Sequence, residues 1–342
     1  MLKHFKRYIL IKNITHYVGI VEKADITMQK INAIPLDKKT AINYATQVVK
    51  EKFEKKIDKI KYIGGGSFGK AFGIDFDDGE RIVIKFLRAK NMLEKEVYDL
   101  TTVAKHCPVP MPRVLFSRPA DGVIPIDCYA MERIEGKTAF FCLDMHVRSK
   151  RKRLDFADKV TSALHEIHLC KHDKFGDVSN PQHESWLDYY KPFAKEILDT
   201  AQGLCDAGSL SPKVIAAMRA AWDKFDVIFS EKVTEACLIH GDLNINNIML
   251  DSKRNITGFI DPLNSMYADR EFDLFQFDNI NGKRFYLRKT YIQKYGASKY
   301  CDAKCAFYGL FHEVYCFITS GILVNFIMNP LVKNMYRQLK KL

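Results

Sequence analysis

Between Lys61 and Leu87 the chain reads as strand, glycine-rich loop, strand, hairpin, strand, and this succession excludes more folds than any other stretch. The run Gly64-Gly65-Gly66-Ser67-Phe68-Gly69-Lys70-Ala71 fits three phosphate-binding patterns at once. As Gly-x4-Gly-Lys it fails, because a P-loop needs a Ser or Thr hydroxyl where this chain has Ala71. As Gly-x-Gly-x-x-Gly, over Gly64, Gly66 and Gly69, it would open a dinucleotide fold only if a helix followed. None does. Lys70 to Phe76 alternates aromatic and small residues, Asp77-Asp78-Gly79-Glu80 turns the chain, and Arg81 to Leu87 returns as a strand. What remains is a loop between antiparallel strands whose bare backbone can approach an anion closely. On the third strand Lys85 shares a face with Val83 and Leu87, while Ile82, Ile84 and Phe86 point the other way.

A second centre lies far downstream, in His240-Gly241-Asp242-Leu243-Asn244-Ile245-Asn246-Asn247 and, past an apolar strand from Ile256 to Ile260, in Asp261-Pro262. Asp242, Asn247 and Asp261 supply two carboxylates and one amide at strand ends. Phosphoryl transfer to a hydroxyl needs a carboxylate that orients the acceptor and takes its proton, and oxygen ligands for Mg²⁺ on the phosphates. Asp-x4-Asn followed by a second Asp after a strand meets both demands. Lys85, at its distance from the glycine loop, matches a lysine that anchors phosphates. Such a lysine needs a carboxylate to hold it. A helix expected over Ala89 to His106 offers Glu96, on the face of Met92, Leu100 and Val103, with Glu94 as a solvated alternative.

The set GGGSFG, IVIK, Glu96, MERIEG (131–136), LHEIH (164–168), HGDLNINN, IDP and DREFDL (269–274) resembles the aminoglycoside phosphotransferase and fructosamine (ketosamine) kinase superfamily, in that order. The resemblance implies an α+β, protein-kinase-like fold of two lobes, a small antiparallel-sheet lobe and a mainly helical one, with ATP and Mg²⁺ in the cleft. It implies that Gly64, Gly65, Gly66, Ser67, Phe68 and Gly69 cover the phosphates, with Lys85 and Glu96 gripping them. Ala71 and Val83 resemble the apolar ceiling over the base, Met131 the back of its pocket, and Glu132 to Ile134 the hinge whose backbone bonds adenine. Asp242 is then the catalytic residue, Asn247 and Asp261 the metal ligands, and Asp273 a brace for the catalytic loop. His165 and His240 resemble structural histidines. Asp261-Pro262 and its spacing to Arg270–Leu274 resemble ketosamine kinases more than antibiotic kinases, so the expected partner is a small-molecule hydroxyl acceptor, a ketosamine or amino sugar.

Charge tests that acceptor. Aminoglycosides are polycations and call for an acidic site, yet residues 139–235 hold 15 Asp/Glu against 14 Lys/Arg. Of the formal net charge of +12, residues 1–62 carry +8, from 14 Lys/Arg against 6 Asp/Glu. The basic run Arg148 to Arg153 comes without a zinc finger or RNA-binding aromatic signature, which favours a solvated surface over a nucleic-acid site. Val314 to Val332 is uncharged but holds Asn, Ser, Gly and Pro, so it is expected as a buried helix and not a membrane anchor. Nine scattered cysteines suggest reduced thiols and a cytoplasmic location. His165, His168, His172 and Cys170 fall at helical spacing and invite a zinc reading, which the resemblance of His165 to a core-helix histidine outweighs.

Three regions are expected: 1–56, an extension with a strand at Tyr8–Ile11 and an Asp37-capped helix to about Phe53; 57–134, a nucleotide-binding lobe; and 135–342, a catalytic and acceptor-binding lobe. Trp186, Tyr189 and Tyr190 are candidates to stack on a sugar ring or to pack in the core.

Overall fold

The computed structural model describes residues 34–66 and 68–342, and the backbone of Thr27–Met28, strand β1. The strand expected at Tyr8–Ile11, and Ser67 of the glycine loop, lie outside the described residues.

Asp37 starts helix α1 (Lys38–Lys52) by accepting the N–H groups of Lys39 and Thr40. One face of α1, with Ala41, Ala45 and Val48, shares a core with Phe72, Ile74 and Phe76 of β3 (Gly69–Phe76) and Ile82, Ile84 and Phe86 of β4 (Arg81–Leu87). Together with β2 (Ile57–Gly65), β5 (Val114–Arg118) and β6 (Cys128–Glu132), these strands form an antiparallel sheet in the order β2-β3-β4-β6-β5. The period-two alternation of β4 thus sends its bulky apolar set to α1 and turns Val83, Lys85 and Leu87 toward the opposite face. There α2 (Leu93–His106) packs Leu93 and Leu100 against Leu87 and Tyr129. The helix starts later than Ala89 because Asn91 takes a left-handed φ of 60°.

The second half has a separate core. Short strands β7 (Lys137–Thr138), β11 (Ile248–Leu250) and β12 (Ile256–Phe259) form one sheet. β8 (Lys171–His172), β9 (Gly176–Asp177), β10 (Ala236–Leu238) and β13 (Met266–Ala268) form another. Around them lie α3 (Lys150–His168), α4 (Trp186–Asp206), α5 (Pro212–Trp222), the one-turn α6 (Phe225–Ile228) and α7 (Glu271–Leu274), α8 (Leu287–Tyr295), α9 (Cys301–Ser320) and α10 (Asn325–Leu339). The basic run opens α3, where Ser149 accepts the N–H of Lys152, Arg148 pairs with Asp144, and Arg153 lies over the Tyr286 ring.

The apolar run Val314–Val332 is not one helix. It breaks at Gly321, whose φ of +70° suits glycine and whose N–H closes α9 on the Phe317 carbonyl. Ile322–Leu323, strand β14, then pairs with β1 before α10 begins. Among the described residues no helix is long and apolar enough to cross a membrane.

Candidate active site

The two motif centres meet. β4 holds Lys85 with only 8% of its surface exposed, and its Nζ lies 2.7 Å from Glu96 Oε2 on α2 and 2.6 Å from Asp261 Oδ1 beyond β12. Burial alone would discharge this ammonium; the carboxylates of Asp261 and Glu96 outweigh it and hold its pKa well above the ordinary value. Tyr129 Oη donates to the same Glu96 oxygen at 3.1 Å, while Glu96 Oε1 is buried with no partner. Glu94 is exposed, so of the two candidate acids Glu96 is the one that reaches Lys85.

Asp242 sits on a loop tied down from several sides. Asp273 accepts the N–H groups of His240 at 2.8 Å and Gly241 at 2.6 Å, and its Oδ2 meets His168 Nε2 at 3.0 Å. Gln276 donates to the Gly241 carbonyl, and Ser265 to that of His240. Gly241 is required here: its φ is +80°, and an added Cβ would stand 2.0 Å from the Leu263 carbonyl oxygen. His240 is fully buried, its pKa pushed down to about 4 by burial, and its neutral Nδ1 accepts the Asp242 N–H. Loop turns of this Asn/Asp-rich kind bond their own backbone, but these side chains also bond each other. Asn244 Nδ2 reaches Asp242 Oδ1 at 2.8 Å, and Asn247 Nδ2 reaches Asp242 Oδ2 at 2.9 Å. The Asn247 carbonyl accepts the Ile260 N–H, which brings Asp261 beside it, with φ +58°. Burial and the nearby Asp261 charge push the Asp242 carboxyl well above its ordinary pKa, against the pull of Asn244 and Asn247. A carboxylate so placed is a stronger base than a solvated one.

The glycine loop ends against Lys85. Gly66 N–H bonds the Gly69 carbonyl; Gly69 has no room for a Cβ, which would meet Lys85 Cε and the Phe86 carbonyl at 2.9 Å. Gly64 and Gly66 face open space, and Gly65 is crowded by the Gly69 carbonyl and Tyr62 Oη. Phe68, at the loop tip, is buried in a cluster with Ala89, Met92, Leu263, Tyr315 and Cys316, bridging both halves of the chain. Sheet register puts Ala71 opposite Lys85 and Val83 opposite Met131, so Ala71, Val83, Lys85, Tyr129 and Met131 share the cleft face. Glu132 departs from the expected hinge role in one respect: its N–H is taken by the Arg113 carbonyl and its side chain by the Arg113 guanidinium. Among the described residues the Ile134 N–H donates to no other group.

The donor set suits Mg²⁺. Among the described residues nothing donates to Asn247 Oδ1 or Asp261 Oδ2, and both are hard oxygen donors. Among the described residues no three His, Cys, Asp or Glu groups converge as a metal site, which fits an ion that takes its other ligands from phosphates and water. The zinc-like spacing dissolves: His168 joins Tyr291 and Asp273, and His165 stacks on Tyr295. Tyr129, Asn244 and Gln276 were not singled out from sequence. Asn244 lay inside the motif itself, and Tyr129 two residues before Met131 on the same strand face; nothing local marks Gln276.

A sequence comparison with curated proteins returned no match. Solved structures do resemble the chain. A protein assigned as a fructosamine-3-kinase from Thermobifida fusca superimposes with TM-score 0.61 at 18% identity, over 88% of this chain and 99% of that one. A thermostable mutant of the aminoglycoside phosphotransferase APH(4)-Ia gives 0.64 at 18% identity, over 86% and 98%. The GDP complex of aminoglycoside 2'-phosphotransferase-IIIa gives 0.64 at 14%, over 88% and 98%. At such identities the likeness shows the fold, which is protein-kinase-like. The model of the phosphotransferase enzyme family matches residues 63–298, from the glycine loop through the catalytic loop to just past α8, and the chain belongs to that family.

Proposed function

We propose that the protein transfers the γ-phosphoryl group of ATP to a hydroxyl of a small molecule, with a ketosamine or related amino sugar as acceptor. The observation that carries this reading is the meeting of Asp242, Asn247 and Asp261 on the Lys85 side of the cleft. When bound, Mg·ATP supplies the phosphoryl group and the cation that neutralises its oxygens. Asp242 orients the acceptor hydroxyl and takes its proton as the acceptor oxygen bonds to phosphorus and the bond to the β-phosphate oxygen breaks. Asn247 and Asp261 offer the oxygen ligands. Lys85, held by Glu96, swings its charge from Asp261 to the α/β-phosphates, and the Gly64–Gly69 loop lays N–H groups over them. Ala71, Val83 and Met131 line the base, and Ile134 offers it a hinge amide. The chain's contribution is placement and charge, worth most where water is excluded.

Two observations support the ketosamine choice over a polycationic antibiotic: the near-balanced charge of residues 139–235 and the Asp261-Pro262 sequence. The test is ADP release by the purified protein with ATP and Mg²⁺ across a panel of hydroxylated metabolites that includes fructosyl-lysine and an aminoglycoside. Turnover of a panel member that vanishes without Mg²⁺ is expected. Absence of both turnover and Mg²⁺-dependent ATP binding would sink the proposal.

A further inference from the structure

Beside the catalytic loop lies a cavity of about 300 Å³, enclosed by α4, α9, β9, β13 and the segment after Asp261. Its inner edge is Asn264, whose backbone lies against Gly241, the residue before Asp242. Its outer wall is Tyr315, which follows Glu313 and Val314 on α9 and precedes Cys316, a thiol close enough to feel the Asp242 charge. The cavity therefore abuts the site where phosphoryl transfer is proposed.

Its lining has two characters. One side is aromatic: Tyr189 and Phe193 stack along α4 with centroids 6.1 Å apart, and Phe193 meets Tyr315 edge-on at 5.4 Å. Its two charged groups face each other, and Asp177 keeps half of its side chain exposed. Lys95 gives its protons to Asp177 at 3.0 Å, to Asp99 and to the Ser265 carbonyl, so the one lysine and the one carboxylate on the wall are paired together. His312 is kept neutral by burial, its pKa pushed down to about 4. Among the described residues Asn264 Nδ2 is buried and donates to nothing. A buried donor without a partner is costly and asks for an acceptor atom.

Resting on the kinase reading above, we infer that the phosphate acceptor is a single-ring polyol and not a polycation, its ring face on Tyr189, Phe193 and Tyr315 and one oxygen accepting from Asn264. A polycation would find on this wall only Asp177, whose charge Lys95 already offsets, whereas a sugar ring has an apolar face for the aromatics and oxygens for the amide. Neutral glycosides and zwitterionic sugar–amino acid conjugates share this chemistry, and the experiment separates them.

The chain has two tryptophans, and Trp186 stacks on Tyr190 and packs beside Tyr189, so Trp222→Phe leaves a reporter next to the cavity. On that background, Trp186 emission is followed with a methyl hexoside, with fructosyl-glycine and with kanamycin, and ADP release is measured in parallel. A saturable change with the hexoside or with fructosyl-glycine, weaker or absent with kanamycin, is expected. Phe193→Leu and Asn264→Asp should each raise the acceptor KM at least tenfold while the KM for ATP stays put. Tighter binding of kanamycin than of both other probes, or no response to any of the three, overturns the inference. Because emission reads binding without turnover, ADP release with no cavity response rejects this assignment and spares the kinase reading; cavity binding with no ADP release rejects the kinase reading, and with it the role of the bound polyol as acceptor.

Discussion

Two lysines in this molecule are buried between two carboxylates each, and they differ in what is left unsatisfied. Lys304 on α9 bonds Asp269 at 2.5 Å and Glu271 at 2.9 Å, and all three are at most 5% exposed. Each carboxylate oxygen there has a further or alternative donor: Glu271 N–H and Tyr308 Oη on Asp269, Ser298 N–H and Oγ on Glu271. Lys85 bonds Glu96 and Asp261 at similar distances, but Glu96 keeps an orphan oxygen and the Asp261 side chain is 46% exposed. The same three charges make a closed knot in one place and an open clasp in the other. The closed one ties α9 to α7 and the loop after α8; the open one has capacity for a ligand, which is why an incompletely satisfied buried group points to function.

The contrast breaks most sharply through chemistry. Asp242→Asn should lower kcat by about a thousandfold or more, because the proton acceptor is lost, while ATP affinity holds; pre-steady-state and nucleotide-binding measurements separate the two, and equal kcat would remove Asp242 from its role. Next in size is the closed knot. Lys304→Met leaves Asp269 and Glu271 without their cation and should cost about 3–5 kcal/mol in urea unfolding, whereas Lys85→Met should cost less, since Asp261 can turn to water, yet abolish Mg·ATP use. Equal destabilisation by both would erase the distinction.

Acid should strike the open site through His240. Its folded pKa of about 4 lies below the ordinary 6.5, so the unfolded chain binds the proton first. Stability is then intact above pH 6.5 and falls, by on the order of 3 kcal/mol, as pH drops toward 4. Denaturant melts at several pH values check this, and His240→Gln should remove its share of the slope and leave that of His312, which burial also holds at about 4. The smallest effect is expected from Tyr129→Phe, which removes a donor from Glu96 and should cost about 1 kcal/mol while raising the KM for ATP modestly. No change in either would make that hydrogen bond incidental.

Several elements were legible because their signals are local. Asp37 announced α1, the alternation of Arg81–Leu87 assigned faces to its side chains, and the apolar face of α2 picked out Glu96 over Glu94. The reading of Val314–Val332 as one helix failed although Gly321 stood in it, since hydropathy outweighed the glycine that breaks the helix. The aromatic trio divided: Trp186 is buried in the core at 1% exposure, while Tyr190, at 2%, and the half-buried Tyr189 line the cavity. That division depends on how α4 is rotated against α9, which period alone does not state.

By itself the sequence determined the strand–loop–strand beginning, the identity and order of the motif residues, and the family they belong to, because each is written in spacings of a few residues that backbone geometry converts directly into position. Tertiary structure alone decided that Asp261 would reach Lys85 across the chain, that Lys304 would close on Asp269 and Glu271, and that a cavity would open beside Asn264 with its amide unspent. Those outcomes depend on burial and on which groups find partners, and both are properties of the packed whole.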